Sequence, residues 1–180
     1  MSNQRAKYCL LCGDELSPAE VEGRRRLRCK SCSFVLYLNP AAASAGLVLD
    51  EHDRVLLVQR AIEPYKGSWA LPAGYQEADE ESGPAVEREI QEECGLRVKA
   101  LGLLDLFYVP DPGRKPANVA LHLCRPLGGE LRAAEDAAAV DWFPLDRLPA
   151  DIGFGNREQV FDRLRPGGDL HTRVQQLRTQ

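Results

Sequence analysis

Apolar positions along the chain fall into short blocks. Residues 45–49, 55–59, 98–106 and 119–124 are apolar runs bounded by polar or turn-forming residues, the signature of strands. Glu51, His52 and Asp53 read as a polar hairpin turn between the first two, with His52 solvated. Residues 27–29 and 34–38 suggest two shorter strands near the N-terminus. One block changes period. Val86, Ile90 and Cys94 recur every four residues, which gives a helix one face to bury. Ser82 or Gly83 can cap it, Pro84 suits its first turn, and Gly95 supplies a left-handed stop. Leu127, Gly128, Gly129 and Glu130 read as a turn, 146–149 as a short helical cap and 156–164 as a helix. Beyond the break at Pro166, Gly167 and Gly168, the Arg/Gln-rich tail with His171 is expected to be solvated. Strands alternating with helix predict an α/β (α+β) fold.

Length and composition narrow the classes. At 180 residues there is room for one ordinary domain and a small appendage. No apolar run approaches the ~20 residues of a membrane helix, and the N-terminus lacks the apolar core of a secretory signal. A cytoplasmic location without membrane contact is the expectation. A net charge of −4 argues against broad nucleic-acid binding, although Arg24, Arg25, Arg26, Arg28 and Lys30 form a local basic run.

Four of the six cysteines form two Cys-x-x-Cys pairs, Cys9/Cys12 and Cys29/Cys32. This spacing can close a tetrahedral four-thiolate Zn²⁺ site, with free thiols or disulfides as the alternative; four protein ligands would leave no open position for catalysis, so such a site would be structural. Residues 1–38 are accordingly read as a zinc ribbon, with Asn39-Pro40 as the boundary. Cys94 and Cys124 have no His and acid partner nearby in sequence and read as core thiols.

The periodic helix is also acidic. Glu89, Glu92 and Glu93 stand at i, i+3 and i+4, along one face. Such a face is either solvated or a site for a hard divalent cation that bridges to phosphate. The stretch from Gly74 to Leu96 resembles the Nudix box, G-x5-E-x7-R-E-U-x-E-E-x-G-U, where U is aliphatic. It matches at Gly74, Glu80, Arg88, Glu89, Ile90, Glu92, Glu93, Gly95 and Leu96. Trp69, Leu71 and Pro72 are similar to the lead-in common in that family, with Ala73 where many members have Gly.

The resemblance implies a Nudix α/β/α sandwich with a mixed sheet over 39–150, with 151–180 packed on or trailing from it. It implies hydrolysis of a nucleoside diphosphate linked to another group, with Mg²⁺ or Mn²⁺ held by Glu89, Glu92, Glu93 and the Ala73 carbonyl. Glu80 and Arg88 would brace the loop beside Gly74. A further carboxylate is expected about six positions before Trp142, at Asp136 or the adjacent Glu135. The general base is split between Glu93, Glu89 and that pair. Arg60, Tyr108 and Phe154 are candidate substrate contacts, as are Arg114 and Lys115.

A zinc ribbon before a Nudix domain is the plan of NADH pyrophosphatases, but their S-Q-P-W-P-F-P-x-S signature does not follow Leu96. The lead-in looks more like FAD and ADP-ribose pyrophosphatases. An ADP-linked substrate, FAD or ADP-ribose ahead of NADH, is therefore expected to give AMP and a second phosphate. The competing readings are a nucleotide sensor whose ribbon touches nucleic acid, and a hydrolase of nucleotide-capped RNA. Ribbon-bearing relatives suggest a homodimer.

Overall fold

The computed structural model describes residues 6–110, 115–134 and 136–179. The chain divides into two compact units, Met1–Pro40 and Ala41–Gln180.

The first unit is an antiparallel sheet of β1 (Leu16–Val21), β2 (Arg24–Cys29) and β3 (Val35–Leu36), with β2 central. Glu22 and Gly23 join β1 to β2, both at positive φ, as a tight hairpin turn demands. β1 was not expected from its sequence, because Pro18 interrupts it and its apolar positions are few. At a sheet edge a proline is tolerated, since its missing N–H can face away from the ladder. Among the described residues of this unit, only Cys9, Leu16 and Cys29 are buried hydrophobics, with Ala6, Leu27, Phe34 and Leu36 packed against them. So small a core does not hold forty residues by itself. The four thiols converge instead, with Cys9–Cys32, Cys12–Cys29 and Cys12–Cys32 each 3.5 Å apart.

The second unit begins with β4 (Ala41–Val48), β5 (Arg54–Arg60), β6 (Trp69–Ala70) and β7 (Ala73–Tyr75). Then come α1 (Ser82–Cys94), β8 (Leu96–Val109), β9 (Ala117–Gly129) and β10 (Ala137–Pro144). A π-helical turn (Arg157–Phe161), a 3₁₀ turn (Asp162–Leu164) and α2 (Asp169–Arg178) complete it. One sheet has the order β7-β4-β9-β8 and is mixed, because β4 and β9 run parallel; the other, β10-β5-β6, is antiparallel.

Alternation along the strands divides the core. Leu47, Leu57 and Leu121 belong to one cluster, and their neighbours Val48, Leu56 and Val58 to the other. Val86, Ile90 and Cys94 of α1 fill the second cluster, while Val160, Phe161, Leu164, Leu170 and Val174 fill the first. Helical segments therefore cover both faces, giving a mixed α/β sandwich.

Four local expectations change. At 146–149 the expected helical cap is a turn and bend. The tail after Gly168 is not a solvated run but α2, anchored by buried Leu170 and Val174. Gly128 and Gly129 do not turn the chain; they end β9, paired with Arg97 and Leu96. The residue at the N-cap of α1 is Glu81, and no side chain caps the helix. Ser82 Oγ is instead paired with His122 Nε2 at 3.0 Å. Gly95 does close α1 in the left-handed region, at φ 73°.

Candidate active site

β7 carries the start of the acidic stretch to the foot of α1. It pairs antiparallel with β4, Ala73 opposite Ala45 and Gly74 opposite Ser44. The Ala73 N–H donates to Glu93 Oε2 at 3.1 Å. Gly74 leaves room for Glu89, since a Cβ there would lie 2.1 Å from the Glu89 carboxyl carbon.

Arg88 ties the loop to the helix. Its Nε donates to Glu80 Oε2 at 3.1 Å and its Nη2 to Glu80 Oε1 at 2.5 Å, a bidentate pair. Nη2 also reaches the Tyr75 carbonyl at 3.0 Å, while Nη1 bridges Glu89 Oε1 and Glu92 Oε2, each at 2.9 Å. Glu80 Oε1 in turn accepts the Glu77 N–H at 2.8 Å and closes the loop on itself. Arg88 holds the Glu80 carboxyl below its usual range. Glu92, with its side chain 59% exposed, stands at the outer edge of this cluster.

Glu89 and Glu93 are partly buried, and burial raises both carboxyls. At Glu89 this outweighs the opposing pull of Arg88. Glu93 is pushed up to about 8, chiefly by burial, with Glu89 and Asp136 adding to the rise. The Ala73 N–H and the Arg60 charge work against it. Asp136 is exposed in the turn before β10, and its carbonyl accepts the Ala61 N–H at 2.9 Å. Glu135 and Arg114 lie outside the described residues.

Glu93 opens into a cleft of about 300 Å³ whose lining includes Arg60, Tyr65, Lys115, Phe154 and Asn156. The rings of Tyr65 and Phe154 are 4.6 Å apart, and the Arg60 guanidinium lies 5.0 Å from the Phe154 centroid. Tyr65 and Phe154 both have positive φ, 63° and 56°, an uncommon conformation for bulky residues that the surroundings must enforce. Bonds also tie the two segments that carry these residues together. Trp69 N–H donates to the Asp151 carbonyl at 3.0 Å, Gly153 N–H to the Trp69 carbonyl at 2.8 Å, and Leu71 N–H to buried Asn156 Oδ1 at 3.0 Å.

Of the sequence-derived substrate contacts, Arg60, Phe154 and Lys115 therefore line the cleft. Tyr108 does not: it is 52% exposed, while its strand neighbours Phe107 and Val109 point inward. Tyr65 and Asn156 were missed, because the Tyr65–Phe154 ring contact and the Asn156–Leu71 bond each join residues more than eighty positions apart.

Cys94 and Cys124 are buried, and burial raises both thiols, Cys124 to about 12, so neither is poised as a nucleophile. Among the described residues, the only His/Cys/Asp/Glu group whose ligand atoms all lie within 4.8 Å of one another is Cys9, Cys12, Cys29 and Cys32. The Cys9 thiol resists its own burial and falls to about 7, helped by the backbone N–H groups of Cys12 and Leu11. Four soft sulfur donors within 4.8 Å of one another fit zinc. The carboxylates around Gly74 offer the hard oxygens that suit Mg²⁺ or Mn²⁺.

A strand, a braced loop and an acidic helix at the floor of an aromatic cleft, within a mixed α/β sandwich, are the arrangement of a Nudix hydrolase. The NUDIX domain model matches residues 39–164, and the chain belongs to this family, whose enzymes generally use divalent metals. It is 36% identical over 133 residues to an ADP-ribose pyrophosphatase of Methanocaldococcus jannaschii, covering 73% of this chain and 78% of that protein. It is 36% identical over 132 residues to the Homo sapiens 8-oxo-dGDP phosphatase NUDT18, covering 71% of this chain but only 36% of that protein. Among solved structures, a NUDIX hydrolase from Nitrosomonas europaea superposes with a TM-score of 0.74 at 27% identity, covering 91% of this chain and 94% of the other. Among the described residues no helix is long and apolar enough to cross a membrane.

Proposed function

We propose that the protein hydrolyses the phosphoanhydride of an ADP-linked compound, ADP-ribose first, then FAD, with NADH behind them. The observation that carries this reading is a single cleft with Glu93 at its floor and the Arg60–Phe154–Tyr65 stack on its wall. The kinship to a protein named ADP-ribose pyrophosphatase supports the same choice.

The aromatic pair offers its faces to the adenine, and Arg60 offers a cation to the phosphates. Glu89, Glu92, Glu93 and the Ala73 carbonyl would hold Mg²⁺ or Mn²⁺, which supplies charge neutralisation and a more acidic water when bound. Glu93, whose Oε2 is oriented by the Ala73 N–H, takes the proton of the attacking water. The water oxygen bonds to one phosphorus, the bridging P–O bond breaks, and AMP leaves with a second phosphate monoester. Asp136 acts on Glu93 through its charge. Glu80 and Arg88 position Glu89 and Glu92. In the N-terminal unit Cys9, Cys12, Cys29 and Cys32 hold a structural Zn²⁺ and make a zinc ribbon.

The test is a substrate panel of ADP-ribose, FAD, NADH and 8-oxo-dGDP with Mg²⁺ or Mn²⁺, with products resolved by anion-exchange chromatography. ADP-ribose should give AMP and ribose 5-phosphate fastest. Preferential turnover of 8-oxo-dGDP would overturn the adenine assignment, and binding without turnover would make the protein a nucleotide sensor.

A further inference from the structure

The charge of the chain is unevenly divided. Residues 1–40 hold seven Lys/Arg against four Asp/Glu, whereas residues 41–180 hold sixteen against twenty-three. Within the basic unit the arginines are also sorted by face. β2 is the central strand, so its alternate residues define the two sides of the sheet. Leu27 and Cys29 join Leu16 and Leu36 on the packed side, with the thiols. Arg24, Arg26 and Arg28 therefore stand together on the other.

Their partners across the ladder on that side are uncharged. Val21, Ala19 and Ser17 of β1 lie opposite Arg24, Arg26 and Arg28, and Val35 of β3 lies opposite Arg28. Glu20, the one acidic residue of β1, is opposite Arg25 and shares the packed side's parity. Among the described residues only Glu22, in the hairpin turn, pairs with one of these arginines, Arg26 at 3.5 Å. Neither Arg24 nor Arg28 has an ion-pair partner within 4 Å among the described residues.

An aromatic ring completes the face. The Arg26 guanidinium lies 4.6 Å from the Tyr37 centroid, and Tyr37 is still 46% exposed. Arg26 Nε is buried without a hydrogen-bond partner among the described residues. Three arginines about two residues apart suit a flexible polyanion, and an exposed tyrosine braced by an arginine suits a stacked base. An exposed ring beside a row of arginines on a sheet face matches the surfaces on which unpaired bases stack, which favours a single strand.

We propose that the outer face of the β1-β2-β3 sheet binds single-stranded RNA, with Arg24, Arg26 and Arg28 on successive phosphates and Tyr37 under a base. The proposal concerns the N-terminal unit alone and does not rest on the hydrolase reading.

The experiment is fluorescence anisotropy of a labelled twelve-nucleotide single-stranded RNA with the full chain, between 50 and 200 mM salt. Three phosphate contacts predict a log–log salt slope of about −2, a loss of affinity of roughly 15-fold over that range. The double variant Arg24→Gln/Arg28→Gln should bind more weakly, with a slope of about −0.7. Tyr37→Leu should weaken binding about tenfold and leave the slope unchanged. Arg25→Gln, from the opposite face, should stay within about twofold, since it makes no phosphate contact. Thermal unfolding like that of the wild type shows that each variant is folded. Absence of binding at 50 mM salt, an unchanged slope in the double variant, or tighter binding to duplex than to single strand each overturns the proposal.

Discussion

Gly74 lies directly under the Glu89 carboxylate, so closely that a methyl group there would fall 2.1 Å from the carboxyl carbon. The contact is with the far end of a long side chain, which can swing aside at little cost to the fold. It cannot do so and also keep its place beside Arg88 and Gly74. Gly74→Ala should therefore change the melting temperature by only a few degrees, yet lower kcat by about 10²-fold, the scale expected when a catalytic group is misplaced by about an ångström. Steady-state kinetics with ADP-ribose beside thermal unfolding checks both halves. A variant with wild-type kcat would show that the position of Glu89 is immaterial.

Glu93 gives a pH dependence of unusual sign for a carboxylate. Its folded value, about 8, lies above its ordinary 4.5, so between these limits the folded state binds more protons than the unfolded one. In metal-free protein this group's contribution to stability is largest below about pH 4.5 and is lost as pH rises toward 8. His122 works the other way, since burial lowers its value and its contribution is lost as pH falls through 6.5. Comparing wild type with Glu93→Gln isolates the carboxylate. The variant should gain stability over wild type progressively from pH 5 to 8, measured by thermal unfolding in chelator. A difference that stays constant with pH would contradict the buried, proton-binding Glu93.

The aromatic wall makes a prediction about binding. Removing Phe154 takes away a stacking face and the partner of both Arg60 and Tyr65. Phe154→Ala should raise KM for ADP-ribose by about 5- to 100-fold while leaving kcat within a fewfold, because base stacking is worth about 1–3 kcal/mol. Tyr108→Ala should change neither, since Tyr108 faces away from the cleft. Equal effects of the two substitutions would displace the base from the Tyr65–Phe154 pair.

The cysteine cluster predicts a stoichiometry. Elemental analysis should find about one zinc per chain in the full-length protein, because four thiolates close one tetrahedral site. Cys32→Ser should lower the zinc content and expose Met1–Pro40 to proteolysis, its apolar core being too small to hold the sheet alone. Zinc-free protein with an intact, protease-resistant N-terminal unit would remove the site.

Much of this was readable in the sequence, for local reasons. Val86, Ile90, Cys94 and Gly95 define α1 through spacing and a left-handed stop, and the order of glutamates along one turn needs no tertiary information. What the sequence hid depends on contacts between distant segments. β1 escaped because Pro18 argues against a strand except at an edge, and its edge position is set by pairing with β2. α2 escaped because Leu170, Val174 and Leu177 are sparse in a charged tail, although they pack against the core. Tyr65 is one aromatic in a loop until Phe154 is brought beside it. Tyr108 looked as suitable as its neighbours, and only the side-chain direction along β8 separates it from Phe107 and Val109.

If Glu93 serves phosphoanhydride hydrolysis in this cleft, metal-dependent AMP release from ADP-ribose separates wild type from Glu93→Gln. The wild type should release AMP with Mg²⁺ or Mn²⁺, and the variant should do so about 10²- to 10⁴-fold more slowly, the usual contribution of a positioned proton acceptor. The substitution keeps the side chain's shape, so the folded structure should survive. Equal rates for the two proteins, or no AMP from either, would contradict the account.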